Sequence, residues 1–347
     1  MSFPRARDFH LPGRSETIAA NGMCATSHPL AAKVAVEVLE AGGNAVDAAL
    51  AGAVLLGFCE PQMTGIGGDL FALIAPEGGE VEGLNASGRA PAGFDAAALR
   101  AEGHGAIPAG TAHAVPTAVA GICELAETRG RLGLERVLAP AIRYAEEGVP
   151  VAPRVAFDWG QSVGALKGRA AELYAHGGAA PKTGVMFRAP GQAEVLRRIA
   201  REGRRGFYEG EVAEDMVASL RALGGAHALE DFAAAKADWV TPVAGTYRGA
   251  ELVELPPNGH GAAAILLAKM LERFDLAAMD PFGAERLHLE AEAAKLAYDA
   301  RDRLVSDPDV PGAEARLARL LSDELAGELA GLIEPAKALT LPSDRVE

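Results

Sequence analysis

The sequence predicts a helix-rich fold with a minority of strands, of the α/β or α+β class. Three observations point there. Apolar residues recur at three-to-four spacing in most windows that show a period. Two stretches, around Glu77-Gly78-Gly79 and around Arg248-Gly249-Ala250, read as β-hairpins. One run, GGNAVDAALAGAVLLGFCEPQMTGIGGDLF from Gly42 to Phe71, joins a helix to a strand through glycines.

That run organises the rest. Gly42 and Gly43 can take the positive φ that ends a preceding helix. Asn44 is placed to cap the next helix, with Asp47 three residues on reaching back like the acid of a capping box. From Ala45 to Phe58 the only charge is Asp47, so the helix is apolar nearly all round and should be buried. Pro61 closes it. Gly65, Gly67 and Gly68 let the backbone pass close to a neighbour before a strand from Leu70 to Ala75. The stretch reads as scaffold around a site.

The other elements follow in order. Residues 1–21 form an N-terminal arm, and Met23 to Ser27 a short strand. Ser27 or His28 caps a helix with Pro29 in its first turn and Leu30, Val34, Val38 and Leu39 on one face. Phe71 to Ala75 and Val81 to Asn85 make the first hairpin. Helices are expected from Asp95 to Glu102, after Val115-Pro116-Thr117, and from Leu134 to Glu147, where Gly148 and Pro150 stop the last. Residues 153–200 are mixed and mostly helical. A helix from Glu211 to Leu223 and a short one from Leu229 to Ala235 precede the second hairpin, Val243 to Tyr247 against Glu251 to Leu255. Long helices then run from Gly261 to about Phe274 and from Pro281 to Val305, with one more from Leu320 to Leu332. Residues 335–347 are polar and irregular. No repeat or linker interrupts the chain, so 1–347 reads as one compact unit. Helix-rich, strand-poor and ending on an open tail, it reads as part of a larger assembly.

Composition narrows the function classes. The formal net charge of −14, with no basic cluster to offset it, argues against a nucleic-acid or anionic-membrane partner. Cys24, Cys59 and Cys123 lie far apart with no CxxC spacing, which suggests reduced, mostly buried thiols. No secretory signal follows the first basic residues, and the apolar segment from Ala48 to Cys59 is too short to span a bilayer. A cytoplasmic location is the expectation.

Several constellations invite chemistry. No GxSxG elbow distinguishes a serine nucleophile. Gly65-Ile66-Gly67-Gly68 runs from helix to strand, the reverse of a phosphate loop, so backbone packing is favoured over phosphate binding. His288 and Glu292 share a helix face with Lys295 and Asp299 beyond; an ion-paired surface or a lining against a neighbour is favoured over a metal site, which lacks a third ligand. His260 reads as a turn residue satisfied locally. Arg89 differs in kind. On a post-strand loop between Gly88 and Pro91, it is placed to hold a carboxylate by two parallel hydrogen bonds, or to form a structural ion pair.

Taken together, the motifs are specific. Ser27-His28-Pro29-Leu30-Ala31, Gly42-Gly43-Asn44-Ala45-Val46-Asp47-Ala48-Ala49, Glu60-Pro61 and Gly65-Ile66-Gly67-Gly68 resemble the large-subunit signature of the γ-glutamyltranspeptidases. Val115-Pro116-Thr117, Leu138-Ala139-Pro140-Ala141-Ile142, Phe207-Tyr208-Glu209-Gly210, Gly245-Thr246-Tyr247-Arg248-Gly249 and Leu255-Pro256-Pro257-Asn258-Gly259 extend the resemblance, which covers about Gly22 to Pro311. It implies an α+β fold, the four-layer αββα sandwich of the N-terminal-nucleophile hydrolases, to which this chain gives mainly helices and part of the sheets. It implies a zymogen that cuts itself into a large and a small subunit. The new N-terminal threonine of the small subunit is then nucleophile and, through its amine, its own base. This chain would be the large subunit, 1–347, with 335–347 the tail before the cut. No catalytic residue, metal or cofactor is expected in it. Its partners would be the small subunit and a small acidic amide such as glutathione, with neither nucleic acid nor membrane; a dimer of heterodimers is a compatible assembly.

Two departures bear on the substrate. Aligning Leu84 and Ala90-Pro91 with the family's pattern puts Ser87 where the transpeptidases carry the arginine that grips the substrate carboxylate, and Arg89 two residues later. Asp69 stands where a further glycine is usual. Asp69 and Arg89 can pair with each other, or Arg89 can replace the missing clamp. The pattern resembles the γ-glutamyltranspeptidase-like branch that includes oxamate amidohydrolases. The resemblance therefore implies an amidohydrolase or acyltransferase with Arg89 on the substrate carboxylate and Asn85, Ser87 and Asp69 as wall residues. An oxamate-type amidohydrolase without γ-glutamyl activity and a non-catalytic binding homologue are the alternatives.

Overall fold

The computed structural model describes residue 10 and residues 12–108, 110–175 and 177–341. The arm and tail expected at 1–21 and 335–347 fall partly outside that range.

In chain order, α1 (Pro29–Glu40) and α2 (Ala45–Cys59) lead into β1 (Leu70–Ile74) and β2 (Glu82–Ala86). Then come α3 (Ala96–Ala101), α4 (Ala118–Thr128), α5 (Leu134–Glu147), β3 (Val149–Pro150), α6 (Pro153–Ser162), α7 (Gly168–Tyr174) and β4 (Met186–Phe187). The chain continues through α8 (Pro190–Glu202), α9 (Arg205–Tyr208), α10 (Gly210–Ala222), α11 (Leu229–Ala233), β5 (Asp238–Val240), β6 (Val243–Tyr247) and β7 (Ala250–Glu254). It finishes with α12 (Gly261–Leu271), α13 (Ala284–Leu304), α14 (Ala313–Leu320) and α15 (Asp323–Ala330). The ladders β1–β2–β5, β3–β4 and β6–β7 are all antiparallel. With no parallel pair among the described residues to need a βαβ crossover, the class is α+β.

The chain divides into two compact units, one holding residues up to Gly65 with Cys123–Val212, the other Ile66–Ile122 with the residues from Ala213 onward. In the first, α2 is the central element. It packs on α1 and α5, and Leu50, Val54, Leu55 and Phe58 are almost completely buried. Its N-terminus is closed by the expected box: Asp47 N–H donates to Asn44 Oδ1 at 3.0 Å and Asn44 N–H to Asp47 Oδ2 at 2.9 Å. The same carboxylate, fully buried, accepts from Arg131 N–H at 3.0 Å and Leu132 N–H at 3.3 Å, tying α2 to the approach to α5. One acidic side chain thereby satisfies donors at a helix start and in a loop 84 residues away. A Cβ on Gly57 would lie 3.2 Å from Gly65 Cα, which is why the end of α2 and the glycine loop approach so closely.

In the second unit, α12 packs on α13, α15 and β6 around Leu266, Met270, Leu289, Leu296 and Leu329. The start of α4 seats Gly121 against β1 and β2, where a Cβ would meet Ala86 Cβ at 2.9 Å and Leu70 Cδ2 at 3.0 Å. Thr117 Oγ1, buried, donates to Ala86 O at 2.7 Å.

Some elements differ from expectation. Residues 23–27 belong to no sheet: an extended segment becomes a strand only when a neighbour takes its N–H and C=O groups. The helix expected from Pro281 starts at Ala284, because Phe282 N–H is taken by Asp280 Oδ1 at 3.0 Å in a turn. β5 extends the first hairpin to three strands, and α14 forms where no helix was expected.

Candidate substrate-binding cavity

The residues expected to bind substrate leave β2 in sequence. Asn85 is the penultimate residue of β2, paired with Phe71 on one side and Asp238 on the other. Ser87, Gly88 and Arg89 follow on a loop held from two directions. Val115 N–H donates to Arg89 O at 3.0 Å, and Gly88 N–H donates to Asp69 Oδ1 at 2.8 Å. No larger residue fits at Gly88: a Cβ there would stand 2.0 Å from Val115 O.

This loop borders a cavity of about 780 Å³ within the second unit. Asn85, Ser87 and Arg89 line it together with Asn258, which follows β7, and Asp307 and Asp309, which follow α13. Asp69 is not among the lining residues and acts from behind, on the Gly88 amide. The structure therefore places three of the four expected residues at one cavity and gives the fourth a backbone contact. Arg89 does not pair with Asp69. Its Nη2 donates to Asp309 Oδ2 at 3.0 Å, and its Nη1 lies 3.9 Å from Asp307 Oδ2.

Asn258 belongs to a motif conspicuous in the sequence, which by itself gives the residue no role. Its Nδ2 donates to Ser87 Oγ at 2.7 Å, and its Oδ1 accepts from Asn85 Nδ2 at 2.9 Å. Asn85 Oδ1 in turn accepts from Ser87 N–H at 3.0 Å. The three form a closed hydrogen-bonded ring that fixes the wall beside Arg89. No local signal announces it, since Asn258 comes from 171 residues away.

Electrostatics make the cavity mixed rather than basic. Two cations, Arg89 and Lys236, face four carboxylates, Asp238, Asp307, Asp309 and Glu314. Lys236 Nζ donates to Asp238 Oδ1 at 2.6 Å. The Arg89 side chain is 60% exposed and engages Asp309 through one nitrogen, so a ligand carboxylate can reach its remaining donors. Among the described residues no group of three or more His, Cys, Asp or Glu side chains could hold a metal ion.

His288 and Glu292 resolve toward the lining reading. Glu292 is 4% exposed and lies against residues near Leu339, not on an open helix surface. His260 is exposed at the start of α12 and caps nothing with its ring. Cys59 and Cys123 are buried free thiols, while Cys24 is partly exposed. No helix among the described residues is long and apolar enough to cross a membrane.

The model of the gamma-glutamyltranspeptidase family matches residues 31–346. The chain belongs to that family. A glutathione hydrolase-like YwrD proenzyme of Bacillus subtilis is 33% identical over 94% of this chain and 63% of its own length. Cephalosporin acylase from Bacillus halodurans superposes with a TM-score of 0.83 at 37% identity, covering 95% of this chain and 63% of that one. The γ-glutamyltranspeptidase of Helicobacter pylori superposes with a TM-score of 0.82 at 28% identity, covering 96% of this chain and 97% of that one. The chain spans between about half and three fifths of the length of the curated relatives it matches.

Proposed function

We propose that this chain is the large subunit of a self-processed amidohydrolase or acyltransferase that takes a small acidic amide at the Arg89 cavity. One observation carries the reading. The match takes in 97% of the chain of one solved γ-glutamyltranspeptidase but only 63% of the acylase chain. Relatives in which this region is nearly a whole chain in one and part of a longer chain in another are what processing of a precursor would produce. The proenzyme name of the curated relative supports the same view.

On this reading the nucleophile is the hydroxyl of a threonine that begins the small subunit, with its own amine as base. Attack on the substrate amide releases the amine product and leaves an acyl ester, which water or a second amine resolves. This chain positions the acyl group. Arg89 holds its carboxylate, as the replacement for the arginine that Ser87 displaces, and the Asn85–Ser87–Asn258 ring keeps the wall rigid. Asp309 orients the guanidinium before substrate arrives.

The test uses the full precursor. Denaturing gels should show it split into two chains. The split protein should then hydrolyse at least one of glutathione, a chromogenic γ-glutamyl anilide and oxamate. A precursor that stays whole and turns over none of the three would make this a non-catalytic binding homologue.

A further inference from the structure

Three side chains of α13, at positions i, i+4 and i+7, grip the backbone of the segment that follows α15. His288 Nε2 lies 2.8 Å from Glu334 O. Lys295 Nζ donates to Leu339 O at 2.6 Å, while Leu339 N–H donates to Glu292 Oε2 at 2.8 Å. Lys295 and Glu292 also bind each other, at 2.8 and 3.0 Å. An ion pair thus takes both polar backbone groups of one residue, and Leu339 and Leu341 pack on the apolar cluster that contains Leu296. Apolar packing alone would hold a loop end against that cluster. A nearly buried Glu292 oxygen shared between the Lys295 ammonium and the Leu339 amide adds register, because a shifted backbone would leave that oxygen to the ammonium alone and the amide without its partner.

We infer that His288, Glu292 and Lys295 are positioning residues for maturation: they fix the register of residues 334–339 and so anchor the approach of the chain to the bond that is cut. The inference rests on the large-subunit reading, in which the chain continues beyond this segment to that bond. In the cut, the hydroxyl oxygen of the nucleophile bonds to the preceding carbonyl carbon. The carbon–nitrogen bond breaks, and the nitrogen takes up the proton as the new terminal amine. Water then hydrolyses the ester, leaving a carboxylate on one chain and restoring the hydroxyl on the other. None of the three gripping residues touches the reacting atoms in this scheme; they act through the backbone they hold.

The experiment follows self-cleavage of the full precursor with time on denaturing gels, for wild type, Glu292→Gln, Lys295→Met, Lys295→Arg and the control Lys337→Ala. Lys337 lies in the same segment, with its side chain exposed and its ammonium 3.9 Å from Glu334 Oε1. Loss of one charge-assisted grip should slow cleavage by about tenfold or more in Glu292→Gln and Lys295→Met. Lys295→Arg should recover much of the rate, and Lys337→Ala should match wild type. Limited proteolysis should show new cuts within 334–341 in the slow variants, and their cleavage should stay slow well below their melting temperatures. A merely structural role would instead return the wild-type rate at any temperature at which the variant is folded. Wild-type rates in both grip variants would overturn the inference while leaving the large-subunit reading intact. A wild-type precursor that never cleaves would overturn both. Should Glu292→Gln fail to fold, the milder His288→Gln decides by the same two readouts.

Discussion

Arg89 and Asp309 are joined by a hydrogen bond of 3.0 Å across 220 residues of sequence. On the proposed function, the pair sets the terms on which an acidic ligand would bind: its carboxylate would share the guanidinium with Asp309 and tolerate Asp307 nearby. Arg89→Ala should therefore lower kcat/KM for an acidic substrate by roughly 30-fold or more, on the order of 2 kcal/mol for a lost charge-assisted contact. Asp309→Asn should act in the other direction on KM, because an amide still orients the arginine but no longer repels the ligand. Steady-state kinetics on the processed enzyme check both, and an unchanged kcat/KM in Arg89→Ala would remove Arg89 from the site.

Gly88 permits this geometry. A Cβ at 2.0 Å from Val115 O must push the loop away from α4 and pull its amide from Asp69. Gly88→Ala should cost about 2 kcal/mol or more in stability, typical of overpacking against an immobile backbone. It should also raise KM by displacing Ser87 and Arg89 together. Urea unfolding and kinetics on the same preparation test the two effects.

What was legible in the sequence was local. The Asn44–Asp47 box, both hairpins and the Ser87–Arg89 loop were written in adjacent residues whose chemistry closes within one turn. The partners were not. Asp309, Asn258 and the segment near Leu339 meet their residues across 220, 171 and 47 positions, and nothing local marks one carboxylate or amide over another for such a meeting. The first strand at residues 23–27 failed for the same reason in reverse: its composition was suitable, but pairing needs a neighbour that local sequence does not supply. The family motifs bridged part of this gap by locating Asn258 in a conspicuous loop without disclosing its task.

Asp47 is the most exacting residue of the first unit. Its fully buried carboxylate takes N–H groups from Asn44, Arg131 and Leu132. Asp47→Ala leaves those donors without a partner and should destabilise the protein by about 3 kcal/mol or more. Asp47→Asn keeps one acceptor and should cost less. Urea midpoints measured for both variants give the order, and equal midpoints would show that water replaces the carboxylate freely.

The thiols provide a pH test with a definite sign. Burial pushes Cys59 and Cys123 up to about 12 each, with Glu60 and Glu127 adding to the rise. A raised folded value means that protonated thiols favour the native state. That contribution is complete below the unfolded value near 9 and is lost as pH climbs from there toward 12. At pH 8 only about one in ten thousand of either thiol is ionised, so neither should react with an aromatic disulfide reagent on the timescale of the partly exposed Cys24. One fast and two slow equivalents are expected for the native chain, collapsing to three fast ones in denaturant. Raising the pH to 10 should accelerate the slow pair about tenfold per unit while the fold holds. A slow phase that ignores pH would mean that access through local opening, rather than ionisation in place, governs these cysteines.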